Sequence, residues 1–142
     1  MEIKQLSLFV ENKTGSLNQV CRILAENNIN IRTLSLADTE QFGVLRLLVK
    51  DWAAAKTALE KAGLVVRVTD VLALPVDDKV GGLQNVLAVL DRNELSVEYM
   101  YAFTFGSGNR AIMVFRFEDT DRAVKCLAAE HFDVVEPVEI FH

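Results

Sequence analysis

No Cys-x-x-Cys pair occurs in these 142 residues, and only two cysteines are present, Cys21 and Cys126. That removes the common zinc and dithiol motifs. Both cysteines fall on apolar helix faces in the reading below, as small buried hydrophobes of a reducing compartment. Histidine is equally scarce, with His131 near a helix end and His142 as the last residue. Neither belongs to a triad or to an HExxH spacing, so no nucleophile–base pair or metal set can be composed from them. The carboxylate pairs Asp77-Asp78 and Asp119/Asp121 sit in turns and caps, where acids belong in any case. Neither an enzyme nor a cofactor is expected.

Long apolar runs are also missing. Hydrophobic residues make up 51% of the chain, enough for a packed core. No run approaches the roughly 18 residues of a spanning helix. Met1-Glu2-Ile3-Lys4 lacks the layout of a signal peptide. The expectation is a cytoplasmic protein with no membrane partner. Basic runs are absent too. Residues 1–69 carry nine Lys/Arg against seven Asp/Glu, a net of +2, and residues 70–142 carry six against thirteen, a net of −7. An acidic half is a poor surface for phosphates, so no nucleic-acid partner is expected.

What is present is a repeat. Shifted by 66, residues 7–37 lie over 73–103 with eight identities: Leu8/Leu74, Val10/Val76, Lys13/Lys79, Gly15/Gly81, Leu17/Leu83, Val20/Val86, Leu24/Leu90 and Asn27/Asn93. The second copy is then two residues longer in a turn, and at an offset of 68 Asp51/Asp119, Ala55/Ala123 and Leu59/Leu127 coincide. The boundary is placed at 69, giving repeats 1–69 and 70–142.

Each copy reads as strand, helix, strand, strand, helix, strand. Leu6, Leu8 and Val10 alternate on one face of a first strand. Leu17, Val20, Cys21 and Leu24 form one apolar helix face, ended by Asn27-Asn28. Strands follow at 29–37 and 44–49, the latter apolar enough for a central place. Asp51 caps a helix over 52–62, Gly63 ends it, and a fourth strand spans 64–68. In copy 2 the strands are expected at 71–76, 95–103, 111–117 and 132–140, and the helices at 82–93 and 120–130. Phe105-Gly106-Ser107-Gly108-Asn109 reads as a hairpin tip. The fold class is α+β: two tandem ferredoxin-like βαββαβ repeats, antiparallel sheets with helices on one face, packed together.

The candidate chemistry lies at Glu11-Asn12-Lys13-Thr14-Gly15-Ser16-Leu17. A strand ends there, a tight glycine turn follows, and a helix starts at once. The first helical amides have no partner within the helix and carry the positive end of its dipole, which suits a carboxylate. Gly15 lets the backbone approach a ligand, and Asn12 offers a donor and an acceptor. The plainer alternative is that Gly15 only makes the turn and Ser16 only caps the helix.

This turn, the repeat, and the Asn30-Ile31 pair opening the second strand together resemble the ACT domain family. Its βαββαβ modules bind amino acids and regulate metabolic enzymes. The motif is Lys13-Thr14-Gly15-Ser16-Leu17 in copy 1 and Lys79-Val80-Gly81-Gly82-Leu83 in copy 2, each without the family's frequent Pro. By the resemblance to the family's serine-binding modules, Asn12, Gly15 and Asn30 are ligand contacts, with two modules paired through their second strands, the amino acid at the seam between the turn of one and the second strand of the other, and both modules supplied by this one chain. In copy 2, Asp78 replaces Asn12 and Ser96 replaces Asn30. The charge of Asp78 would repel a ligand carboxylate but could receive an ammonium group. Copy 1 is therefore expected to hold the better site. The ligand-binding set is Asn12, Lys13, Thr14, Gly15, Ser16, Leu17, Asn30 and Ile31, with Asp78, Val80, Gly81, Gly82, Leu83 and Ser96 in copy 2.

The resemblance implies a non-catalytic sensor whose partners are a free amino acid, a second copy in a homodimer, and a separate metabolic enzyme. The alternative is a ligand-free oligomerisation module, for which Tyr99, Tyr101, Phe103 and Phe105 on one face would be either core or contact surface. An RNA-binding module of this topology would need exposed aromatics on its central strands. Copy 1 has none there, and Phe115 and Phe117 of copy 2 lie in the acidic half.

Overall fold

The computed structural model describes residues 2–38, 41–103 and 108–141. Its elements in order are β1 (Ile3–Glu11), α1 (Ser16–Glu26), β2 (Ile31–Asp38), β3 (Phe42–Val49), α2 (Trp52–Lys61), β4 (Val66–Asp77), α3 (Gly82–Arg92), β5 (Val97–Ala102), β6 (Arg110–Phe117), α4 (Thr120–Ala129) and α5 (Pro137–Ile140). The tandem ferredoxin-like pattern is present. The chain divides into two compact units, Lys4–Thr69 and Asp70–Ile140, with Ile3 counted in the latter and Phe141 in the former.

In the first unit β3 lies between β2 and β1, with β4 on the other side of β1. The alternation of β1 is resolved by its register: Leu6 faces Leu47, Leu8 faces Leu45 and Val10 faces Gly43. These leucines, with Val20 and Leu24 of α1 and Ala55 and Leu59 of α2, form one buried cluster. Burying such side chains contributes about 1.5–3 kcal/mol each, which fixes the helices to one sheet face. In the second unit β6 lies between β4 and β5. Leu72, Leu74, Val76, Phe115 and Phe117 pack against Val86, Leu90, Ala123 and Leu127. The rings of Phe115 and Phe117 stack with centroids 5.8 Å apart.

Three features differ from the sequence reading. The strands expected at 64–68 and 71–76 are one continuous strand, β4, of 12 residues. The strand expected at 132–140 does not form. Only Val135 bridges Ala73, and the chain then turns into α5. The two prolines explain this. Val135 N–H donates to the Ala73 carbonyl at 2.9 Å. Pro75, two residues on, faces the same side with no N–H to offer, while Pro137 fits the first position of a helix and not a ladder. Most of the expected hairpin tip, Phe105 included, lies outside the described residues. Third, a register shift between Val97 and Tyr99 sets Tyr99 and Tyr101 opposite Arg116 and Val114, on the sheet face away from Phe115. Both tyrosines are half-buried, and Phe103 is buried.

The four long helices end alike. Asn28, Gly63, Glu94 and His131 all have positive φ, between 53° and 88°. The next residue reaches back to the carbonyl five positions earlier: Ile29 to Leu24, Leu64 to Leu59, Leu95 to Leu90 and Phe132 to Leu127, at 2.9–3.1 Å. This is the Schellman arrangement with its apolar residue just beyond the helix. The ends of α3 and α4 are also tied to each other. Glu130 accepts from Arg92 at 2.8 Å and from Asn93 at 3.3 Å, and Arg122 donates to the Asn93 and Glu94 carbonyls. The Arg92 hydrogen bond, then that of Asn93, holds the Glu130 carboxyl below the usual carboxylate range. A lowered folded pKa means the tie is present above the ordinary carboxylate pKa and is lost as pH falls through the lowered one.

A left-handed residue bearing a Cβ costs about 1–2 kcal/mol, partly offset by the extra unfolded-state entropy of glycine. Glu94→Gly and His131→Gly are each expected to raise the unfolding free energy by about 0.5–1 kcal/mol in urea titrations. Gly82 is the opposite case. A Cβ there would overlap the Asp77 carbonyl oxygen. Gly82→Ala is expected to destabilise by about 1–3 kcal/mol by the same measurement.

Candidate functional site

Two homologous turns carry the expected site residues. In the first, Gly15 is the N-cap of α1, with φ 93° and ψ −17°. Side chains rarely adopt this region, so the glycine is required by the backbone itself. A Cβ at Gly15 would meet no atom within 4 Å, so the space around it is open. The turn is set by Lys13 N–H to the Glu11 carbonyl at 2.8 Å and Ser16 N–H to the Lys13 carbonyl at 3.3 Å. Ser16 was expected as a possible cap. It is instead the first helical residue, and no side chain caps this helix. Leu17 and Asn18 follow it in the first turn, where helix geometry gives an amide no intrahelical carbonyl.

Asn12 is held by both its backbone and its side chain. Its N–H donates to Gln41 at 3.1 Å and its Nδ2 to Asp38 Oδ1 at 2.5 Å. Lys13 pairs with Glu11 at 2.9 Å, but both are well exposed, so the pair adds little stability. Val10, Glu11, Asn12, Lys13, Thr14, Leu17 and Leu36 line an open depression of about 410 Å³. On the other flank of the turn, Phe9, Phe42, Leu64 and Val65 line a second one of about 370 Å³, with Lys13, Ser16 and Gln19 at its edge.

The structure does not bring Asn30 or Ile31 to this turn. Asp38 pairs with Gly43, which pairs with Val10, whereas Ile31 pairs with Val49. The start of β2 is therefore at the far end of the unit, roughly 25 Å from the turn at about 3.3 Å per residue. Ile31 packs against the first core, and Asn30 is exposed. Leu36 and Asp38 take their place beside the turn. No sequence signal marked them, because strand register decides which residue of β2 faces Asn12.

The second turn repeats the geometry with different chemistry. Gly81 is the N-cap of α3 with φ 82° and no side-chain cap. Asp78 N–H donates to the Asn109 carbonyl at 2.9 Å, and Gly82 N–H to Lys79 at 3.0 Å. Val80 is fully exposed and Leu83 is 38% exposed. Ser96 is exposed just before β5, at the end of the unit opposite the turn, as Asn30 is in the first. Gly82 stands where the first turn has Ser16 because of its contact with the Asp77 carbonyl.

Several other titratable groups have structural positions. Asp51 and Asp119 accept from the amides of Ala54 and Arg122 as helix caps. Glu98 lies 3.4 Å from Arg116, and His131 terminates α4. Phe115 and Phe117 are 0% and 1% exposed, so they offer no stacking surface for bases. Among the described residues no cluster of three metal-ligating side chains occurs, and no helix is long and apolar enough to cross a membrane.

Comparison with known proteins agrees with the duplicated fold. A crystal structure of the protein BT0572 from Bacteroides thetaiotaomicron superposes with a TM-score of 0.91 at 35% identity, covering 99% of this chain and 96% of that one. The regulatory subunit of aspartate kinase from Thermus flavus gives 0.66 at 17% identity, covering 92% of each chain. The corresponding subunit from Thermus thermophilus, in a ligand-free form, gives 0.63 at 17%, covering 90% of each. No curated protein matches the sequence. The model of the ACT domain pair matches residues 1–142, one turn-and-helix motif per copy, and the chain belongs to that family.

Proposed function

We propose that this chain is a non-catalytic regulatory protein that reversibly binds a free amino acid, with residues 1–69 and 70–142 as its two ACT-like modules. The observation that carries the reading is the uncapped start of α1. Gly15 is left-handed, no side chain caps the helix, and a depression with polar and apolar walls lies beside the turn. A ligand carboxylate would take the first helical amides, favoured by the helix dipole. Its side chain would lie along Leu17 and Leu36. The resemblance in fold to regulatory subunits of aspartate kinase points the same way.

In this reading Asn30 contributes from a second module. Within one unit it is at the wrong end, but two modules meeting antiparallel along β2 would bring the start of one β2 to the turn of the other. β2 is the outermost strand and is bonded to β3. Leu17, Leu34 and Leu36 are 37–49% exposed along this edge. We assign the second module to another copy of the chain. The ligand then acts by stabilising one packing of the two modules, which a partner enzyme reads. The same exposed leucines are the observation that favours the alternative, an oligomerisation module with no ligand.

Calorimetric titration with each of the twenty amino acids is expected to give heat with at least one. Gly15→Asn keeps the left-handed backbone, since Asn tolerates it, yet places a side chain at the amides. It is expected to weaken that binding tenfold or more and, at a cost of about 1–2 kcal/mol for a left-handed residue with a Cβ, to lower the thermal midpoint while leaving the chain folded at the titration temperature. Unchanged affinity would remove the site, and silence across the whole panel would favour the ligand-free alternative. Leu34→Lys with Leu36→Lys is expected to shift the chain from dimer to monomer in sedimentation velocity. A dimer that persists would place the interface elsewhere.

A further inference from the structure

The second unit contains a cleft whose lining residues Pro75, Arg110 and Asp133 stand where the first unit has the apolar Phe9, Phe42 and Val65. It lies where the last strand of copy 2 is reduced to one bridge and a short helix. Pro75, two residues beyond Ala73, has no amide, so the bridge from Val135 to Ala73 does not extend back toward Asp133. The space left is about 400 Å³, within the range of small-molecule sites. Pro75 and Ile112, which face each other in the β4–β6 register, and Val134 and Val135 give it an apolar lining. Arg110 enters from the strand side, and Asp133 and Glu139 from the returning segment.

The charges select the ligand. Arg110 is 48% exposed and is 3.8 Å from Asp77, too long for a good hydrogen bond, so its guanidinium can turn to a carboxylate. The Glu139 carboxylate is oriented, because its Oε2 accepts from Glu136 N–H at 2.7 Å. A simple anion would meet two carboxylates, and a metal ion would meet the guanidinium. Phosphates are disfavoured by the net charge of −7 over residues 70–142. A molecule with one carboxylate, one ammonium group and a short apolar body matches all three sides.

We propose that this cleft is a second ligand site, for a small zwitterion of the α-amino acid class. Arg110 binds its carboxylate, Asp133 and Glu139 its ammonium group, and Ile112, Val134 and Val135 its side chain. None of these residues belongs to either glycine turn, so the site stands or falls separately from the one at Gly15.

The test is a nitrogen-edited NMR titration of the full chain with each of the twenty amino acids. At least one is expected to shift the amides of Ile112, Val134 and Val135 in a saturable way. Its methyl ester and its N-acetyl derivative, each lacking one charge, should fail to do so. Arg110→Gln and Asp133→Asn, both exposed positions, are each expected to weaken the response tenfold or more with unchanged thermal midpoints. Gly15→Asn should leave it intact. No response at these amides from any of the twenty, or equal titrations in wild type and both cleft variants, would overturn the proposal. Loss in Gly15→Asn alone would assign the binding to the turn and also overturn it.

Discussion

A left-handed backbone at two glycines is the constraint from which the rest of this molecule follows. At Gly15 and Gly81 the chain must leave a strand and start a helix within a few residues, and φ of 93° and 82° is how it does so. The reversal lays Val20 and Leu24 over β1, and Val86 and Leu90 over β4, which builds each core. It also leaves each helix without a side-chain cap. Fold and proposed function thus share one cause: the residue that permits the turn is also the residue that supplies no side-chain cap.

Duplication has preserved that geometry and changed what surrounds it. Asn12 and Asp78 occupy the same place, but only Asn12 can donate from its side chain. Ser16 has become Gly82 because the strand end approaches the helix too closely for a Cβ. The last strand of the second copy has given way to Pro137 and a short helix. These changes fall in the half with the net charge of −7. The two halves are one architecture with two surfaces, and similarity of backbone does not imply the same ligand chemistry at both.

Much of this was legible in the sequence where the cause is local. Asp51 and Asp119 cap helices, Gly63 terminates one, and Leu6, Leu8 and Val10 alternate into a core, because each depends only on neighbours along the chain. Two features were missed. The strand at 132–140 was expected from the order of the first copy, although Pro137 was a readable helix start and Pro75 a readable gap in the ladder. The distance of Asn30 from Gly15 within one unit was hidden for another reason. Which end of β2 faces the turn is set by its pairing with β3, and no local pattern encodes that register.

The register has a consequence for how a ligand could be shared. Asn12 and Asn30 belong to one module but face opposite ends of it. A single small molecule, well under the roughly 25 Å between them, cannot touch both in the same module. If both contact it, the ligand must be a contact between modules, and its binding energy then depends on how they are packed. That is the condition for a ligand to shift a conformational population: differential contact with the two states. A site built from one turn alone would bind equally in either packing and would transmit nothing. The separation of the two asparagines is therefore what would make binding at Gly15 capable of regulation.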